Sequence, residues 1–194
     1  MPKKQQRNTK GRIISAAWEL FYKQGYENTT VEDILELSGT SKGTFYHYFE
    51  GKDALLGTLS VLFDEKYAEL MPLIDPERNS LEVLAWLNRE LFAMIDPRIS
   101  MELLARLLST QLVTRGEKHL LDRDRLYFRL LREIVTRGQE KGEIRTDYSV
   151  SEITRAYALM ERALLYDWCL RGGDYALSRD SAELMGIFLS GYKK

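Results

Sequence analysis

A chain of 194 residues, 44% hydrophobic and 29% charged, is one large domain or two small ones, with enough apolar material to bury a core unaided by metal or disulfide. Its 28 Lys and Arg nearly cancel 29 Asp and Glu, so the net charge of −1 argues for no particular partner and any basic surface has to be local. One cysteine excludes a disulfide framework, and two distant histidines leave no zinc set. With no apolar run long enough to span a membrane, a cytoplasmic protein without metal or cofactor is expected.

The first 52 residues hold eight bases (Lys3, Lys4, Arg7, Lys10, Arg12, Lys23, Lys42, Lys52) against six acids (Glu19, Glu27, Glu32, Asp33, Glu36, Glu50). The five bases from Lys3 to Arg12 have no acid among them; such an arm either lies along phosphates or is a solvated terminus. Thr9 is placed to cap a first helix with the apolar face Ile13, Ala16, Ala17, Leu20 and Phe21, and Gly25 stands just past its end. Thr30 opens a second helix with Asp33 as its capping-box partner, and Val31, Ile34 and Leu35 face inward until Gly39 ends it. Ser41 caps a third, SKGTFYHYF, anchored by Phe45 and Phe49. Lys52 begins a long fourth helix to about residue 70, closed by Pro72 and Pro76. Further helices are expected at about 80–95, 99–114, 121–141, 150–171 and 178–192. Strand-like alternation is absent. The expected fold is all-α, with a three-helix N-terminal domain over residues 1–50 and a larger helical domain over 51–194.

Two short helices joined by a tight Gly-containing turn, behind a supporting helix, have the layout of a helix-turn-helix. The second of them must be buried on one side and polar on the other, so that its outer side can enter the major groove. Ser41, Lys42, Thr44, Tyr46 and His47 are left facing outward. Lys42 can reach a guanine edge or a phosphate, and Thr44 a base edge or a thymine methyl. Gly43 permits close backbone approach. Tyr46, His47 and Lys52 suit phosphates.

At these residues the chain resembles a known family. The run TTVEDILELSGTSKGTFYHYFEGKDALL (29–56) is similar to the DNA-binding segment of the tetracycline-repressor (TetR) family, and IISAAWELFYKQGYENTT before it looks like that family's first helix and GY turn. Farther on, RGQEKGEIRTD (137–147) is similar to a stretch that precedes the family's last two helices. The resemblance implies a bacterial transcriptional regulator, most often a repressor, that binds a palindromic double-stranded DNA operator as a homodimer and responds to a small-molecule effector. By matching position it puts DNA contacts at Thr30, Ser41, Lys42, Gly43, Thr44, Tyr46, His47 and Lys52. Thr40 departs from the apolar residue usual there, which leaves its role open.

The segment 150–171 has two apolar stripes, one of Ile153, Tyr157, Met160, Leu164 and Trp168, the other of Ala156, Leu159, Ala163, Tyr166 and Leu170. A helix apolar on two sides is either wholly internal or meets a second subunit on one of them. The resemblance favours the second, with Ala156, Leu159, Ala163, Leu184, Ile187 and Phe188 as dimerisation residues. Which stripe faces the partner stays open. Phe92, Met101, Tyr127, Phe128, Met160, Arg162 and Tyr166 are candidates for the lining of a cavity that takes a small apolar or aromatic effector. Glu161, flanked by apolar residues, is a candidate for ligand polarity, for an intersubunit pair or for a solvated edge. A dimeric DNA-binding factor controlled by a protein partner or by abundance is the alternative function. The chain has no nucleophile elbow, P-loop, metal cluster or dinucleotide loop, so no enzyme is expected.

Overall fold

In a computed structural model of the chain, residues 2–113 and 118–194 are described, those at 2–8, 96–98 and 119 by backbone only. Among the described residues the regular elements are helices, with one isolated bridge between Ile144 and Lys193 and no strand. The fold is all-α.

Helix α1 (Pro2–Gln24) begins ahead of Thr9, the expected cap. Proline is tolerated in a first turn, where its missing amide would bond nothing, and the Lys, Gln and Arg that follow are good helix formers. The basic side chains of Lys3, Lys4 and Arg7 lie outside the described residues. Ile13, Ala16, Ala17 and Phe21 are buried, and Gly25 turns the chain at a φ of 84°, its amide donating to the Phe21 carbonyl at 3.1 Å. Helix α2 (Val31–Ser38) carries the capping box: Thr30 Oγ1 accepts from the Asp33 amide at 3.1 Å, and Asp33 accepts from the Thr30 amide at 2.8 Å. Gly39 closes α2 in the left-handed region at φ 61°. Helix α3 (Lys42–Tyr48) follows directly, capped by Ser41.

The long helix expected from Lys52 is broken into α4 (Lys52–Leu56) and α5 (Leu59–Leu70). The Thr58 hydroxyl donates to the Leu55 carbonyl at 2.6 Å and accepts from the Trp18 indole at 2.8 Å, and Gly57 beside it favours helix little. Then come α6 (Ser80–Arg98), α7 (Met101–Val113), α8 (Leu126–Glu140), α9 (Val150–Leu170) and α10 (Leu177–Ser190). Helix α8 starts later than the periodicity suggests. A short 3-10 turn precedes it, and Arg125 in the connection grips Asp64 at 2.9 and 3.0 Å and the Ser60 carbonyl at 3.0 Å.

The chain divides into two compact units: Met1–Leu59 with Arg106–Leu120, and Ser60–Ala105 with Leu121–Lys194. The first unit thus runs past residue 50. Leu55 and Leu56 are buried in it, Thr58 is tied to Trp18, and Arg106 pairs with Glu27 while its guanidinium lies 5.2 Å from the Tyr26 ring centre. In the second unit α10 packs on α6 and α9, and α8 packs on α6 and α9. The run RGQEKGEIRTD is a structural lock there. Gly138 lies so close to Ile144 and Ser80 that an added Cβ would sit 2.6 Å from the Ile144 side chain, and the Glu143 carboxylate caps α6 by accepting from the Ser80 amide at 2.7 Å.

Candidate DNA-binding and effector sites

The recognition element is built by short-range bonds. Phe45 and Phe49 are buried with their rings 5.8 Å apart, which turns the opposite side of α3 outward. On that side Ser41, Lys42, Gly43, Tyr46 and His47 are exposed and Thr44 is half-exposed. Ser41 Oγ accepts from the Thr44 amide at 3.2 Å and lies 2.8 Å from the Thr44 hydroxyl, so the pair caps the helix and still carries one hydroxyl proton outward. Nothing lies within 4 Å of a Cβ built on Gly43. Lys42 has an exposed partner in Glu32 at 3.7 Å, a surface pair easily exchanged for another anion. The departure at Thr40 is explained by its neighbour: the Thr40 and Ser38 hydroxyls bond at 2.7 Å, which stitches the turn without an apolar residue. Two bases of the N-terminal arm lean on the same motif. Lys10 Nζ sits 5.7 Å from the Phe49 ring centre, and Arg12 donates to the Gly39 carbonyl at 3.4 Å.

Lys52 is used differently from the expectation of a phosphate contact. Its ammonium donates to the carbonyls of Tyr26 at 2.7 Å and Thr29 at 2.8 Å and lies 4.2 Å from the Tyr26 ring centre. Burial holds it below the usual lysine range, while Asp53 beside it pulls the other way. It clamps the turn between α1 and α2.

In the second unit the two stripes of α9 separate. Ile153, Tyr157, Leu164 and Trp168 are buried, while Leu159 is 61% exposed and Tyr166 and Leu170 are exposed with it. Ala163 is exposed and Ala156 half-buried. On α10, Met185 and Leu189 are buried, Leu184 and Ile187 are exposed and Phe188 is half-buried. Apolar side chains of both α9 and α10 are thus left exposed.

The expected effector residues do not converge on one cavity among the described residues. A cavity of about 560 Å³ between α8 and α9 takes in only Phe128 and Arg162 of the seven. Phe92 is fully buried, Met101 and Met160 are half-buried and Tyr166 is exposed. Tyr127 is committed elsewhere: its hydroxyl donates to Glu161, which is 4% exposed and also accepts from Asn88 Nδ2 at 3.1 Å. Tyr67 closes in, its ring 5.1 Å from that of Tyr127, and Tyr157 donates to the Leu84 carbonyl at 2.8 Å. Glu161 is therefore neither an edge residue nor part of an intersubunit pair. Burial raises its pKa, partly offset by the bonds from Tyr127 and Asn88. This polar centre escaped the sequence reading; Tyr157 one turn before Glu161 on an apolar stripe is the signal that could have found it. Cys169 is half-buried, and burial pushes its thiol up to about 11.

Three helices with a capped two-helix turn and a polar-faced second helix define a helix-turn-helix DNA-binding protein. Residues 13–59 match the model of the bacterial regulatory proteins of the tetR family. A transcriptional regulator of Lactococcus lactis from the lacX 3′ region is 50% identical over 46 residues, 24% of either chain. The repressor KstR2 of Mycobacterium tuberculosis is 24% identical over 95% of this chain and 93% of its own. Among solved structures, Thermus thermophilus FadR, a TetR-family repressor in complex with lauroyl-CoA, superposes with a TM-score of 0.72 at 25% identity, covering 93% of this chain and 92% of that one. Residues 13–59 thus carry the DNA-binding segment of the tetR family, and over most of its length the chain is similar to transcriptional repressors of that family.

Proposed function

We propose that this protein is a ligand-responsive repressor that binds a palindromic double-stranded DNA operator as a homodimer and is released when a small molecule occupies its second unit. The observation that carries the reading is the outward face of α3, where Ser41, Lys42, Gly43, Thr44, Tyr46 and His47 stand together while Phe45 and Phe49 hold the helix from behind. Thr30, exposed at the start of α2, joins them as a backbone contact. The bare stripe of Ala156, Leu159, Ala163, Leu184, Ile187 and Phe188 supports pairing of two copies, because a soluble chain rarely leaves such a face uncovered. The function is regulatory rather than enzymatic and its place is the cytoplasm, where the DNA is. As T. thermophilus FadR is solved with lauroyl-CoA, acyl-CoA esters are the first effectors to try.

The test is selection of bound duplexes from a randomised pool. Inverted half-sites about 34–36 Å apart, or somewhat wider, are expected. Lys42→Ala and Thr44→Ala should each cost about 1–3 kcal/mol on the selected site and less on random duplex. Recovery of no common sequence would overturn the reading.

A further inference from the structure

The cavity between α8 and α9 has an unusual wall. Four arginines line it: Arg123 from the turn before α8, Arg132 from α8, and Arg155 and Arg162 from α9; no Asp or Glu contributes. Arg155 and Arg162 are two helical turns apart and so share a face, with Ala158 between them leaving the space open. Phe128 and Ala158, both buried, supply an apolar floor. Thr154 also lines the cavity, and its hydroxyl is buried without a hydrogen-bond partner.

Among the described residues no carboxylate forms an ion pair with any of the four arginines; the one hydrogen-bonded contact is that of the Arg132 guanidinium with the Arg123 carbonyl at 3.3 and 3.4 Å. Arg125, two residues from Arg123, marks the contrast, since Asp64 takes its guanidinium in a two-bond grip. Arg162 is close enough to the buried Glu161 to act on its charge, while Arg123, Arg132 and Arg155 have no carboxylate partner among the described residues, and an anion from outside would complete the set. A single carboxylate is satisfied by one bidentate guanidinium. Four guanidinium groups suit a group with several negative oxygens, and the planar fork of arginine matches phosphate geometry. The volume, about 560 Å³, is that of a small-molecule site.

We propose that this cavity is the headgroup site of the effector and takes a phosphate-bearing amphipath, its phosphates paired with Arg123, Arg132, Arg155 and Arg162 and the start of its apolar part laid on Phe128 and Ala158. This deepens the ligand-responsive reading and rests on it. It also replaces the purely apolar or aromatic effector that the sequence suggests.

The probes are lauroyl-CoA, free CoA and laurate, titrated calorimetrically against the full chain, its Arg155→Gln/Arg162→Gln variant and, separately, Arg132→Gln. Among the described residues none of these arginines forms an ion pair, so the variants should melt close to the parent, which a melting curve checks before the titrations are compared. Lauroyl-CoA should bind more tightly than CoA or laurate and weaken as salt rises. The double variant should lose about tenfold or more in affinity for lauroyl-CoA and for CoA, as expected for lost charge-assisted bonds, with laurate barely changed. Unchanged affinity of the double variant for lauroyl-CoA, no binding of lauroyl-CoA or CoA by the parent, or laurate bound as tightly as lauroyl-CoA would each overturn the proposal. If lauroyl-CoA binds through the arginines yet leaves operator affinity untouched, the headgroup site stands and the switch fails.

Discussion

Lys52 and Glu161 are two charged residues whose surroundings turn them from expected surface roles to internal ones. Lys52 satisfies two carbonyls of the α1–α2 turn, and removing its ammonium strands both. Lys52→Met should lower stability by about 1–3 kcal/mol in urea unfolding, while operator affinity of the folded protein changes little. Unchanged stability with a uniform loss of affinity on all duplexes would return the lysine to the phosphates. Glu161 is a carboxyl whose folded-state pKa lies above its ordinary 4.5. The folded state therefore holds the proton more tightly than the unfolded one. The contribution to stability is full below about 4.5 and is lost as pH rises through the folded pKa. Glu161→Gln keeps the acceptor without the charge, so its unfolding midpoint should depend less on pH across that range. Glu161→Ala should cost about 2–4 kcal/mol, because Tyr127 and Asn88 are left unsatisfied and a void opens. A Gln variant that retains the full pH slope would show that another group titrates there.

Helix boundaries set by neighbours in sequence were legible, and those set by distant residues were not. The Thr30–Asp33 box, the Gly39 stop, the Ser41 cap and the Phe45–Phe49 anchor all act within four residues, so spacing alone exposes them. The break between α4 and α5 has a local part in Gly57 and the Thr58–Leu55 bond, but the bond from Trp18, forty positions away from Thr58, is one no local pattern announces. The same holds for the polar centre at Glu161, drawn from four helices, and for the arginine-lined cavity, whose residues are scattered over α8, α9 and the turn before them. The outward face of α3 was thus legible from spacing, whereas the bonds of Lys52 to the Tyr26 and Thr29 carbonyls and the lining of the α8–α9 cavity, which takes in Phe128 and Arg162 of the expected residues, were not. Helix α8 supplies a prediction against ordinary propensity. Replacing a helical glycine by alanine usually stabilises, but a Cβ at Gly138, in the last turn of α8, would meet Ile144 at 2.6 Å and Ser80 at 2.8 Å. Gly138→Ala should destabilise by about 1–3 kcal/mol, read as a lower melting temperature, because the Ile144 turn must shift. A rise in melting temperature would mean that Ile144 relaxes freely.

For the whole molecule, the proposed pairing face and the proposed effector cavity share Leu159, which is exposed on the outer stripe of α9 and also lines the arginine cavity. An effector seated there can act on the pairing of two copies as well as on either copy alone. Sedimentation should give a dimer at micromolar concentration. Leu159→Asp or Ile187→Asp should yield a folded monomer, since both side chains are exposed within one chain; a wild-type monomer would remove the paired half-sites from the account. Coupling of effector and operator is reciprocal, typically about 1–3 kcal/mol, so operator duplex should weaken lauroyl-CoA by the same factor that lauroyl-CoA weakens the operator. Arg106, finally, carries a lesson for recombination. The DNA-reading unit is discontinuous in sequence, with Arg106–Leu120 belonging to it and Arg106 set against Tyr26 and Glu27. A chimera made by a single crossover near residue 59, intended to graft this reading head onto another sensor, would inherit a foreign residue in place of Arg106. Sensor exchange in this protein calls for cassettes that carry both segments together.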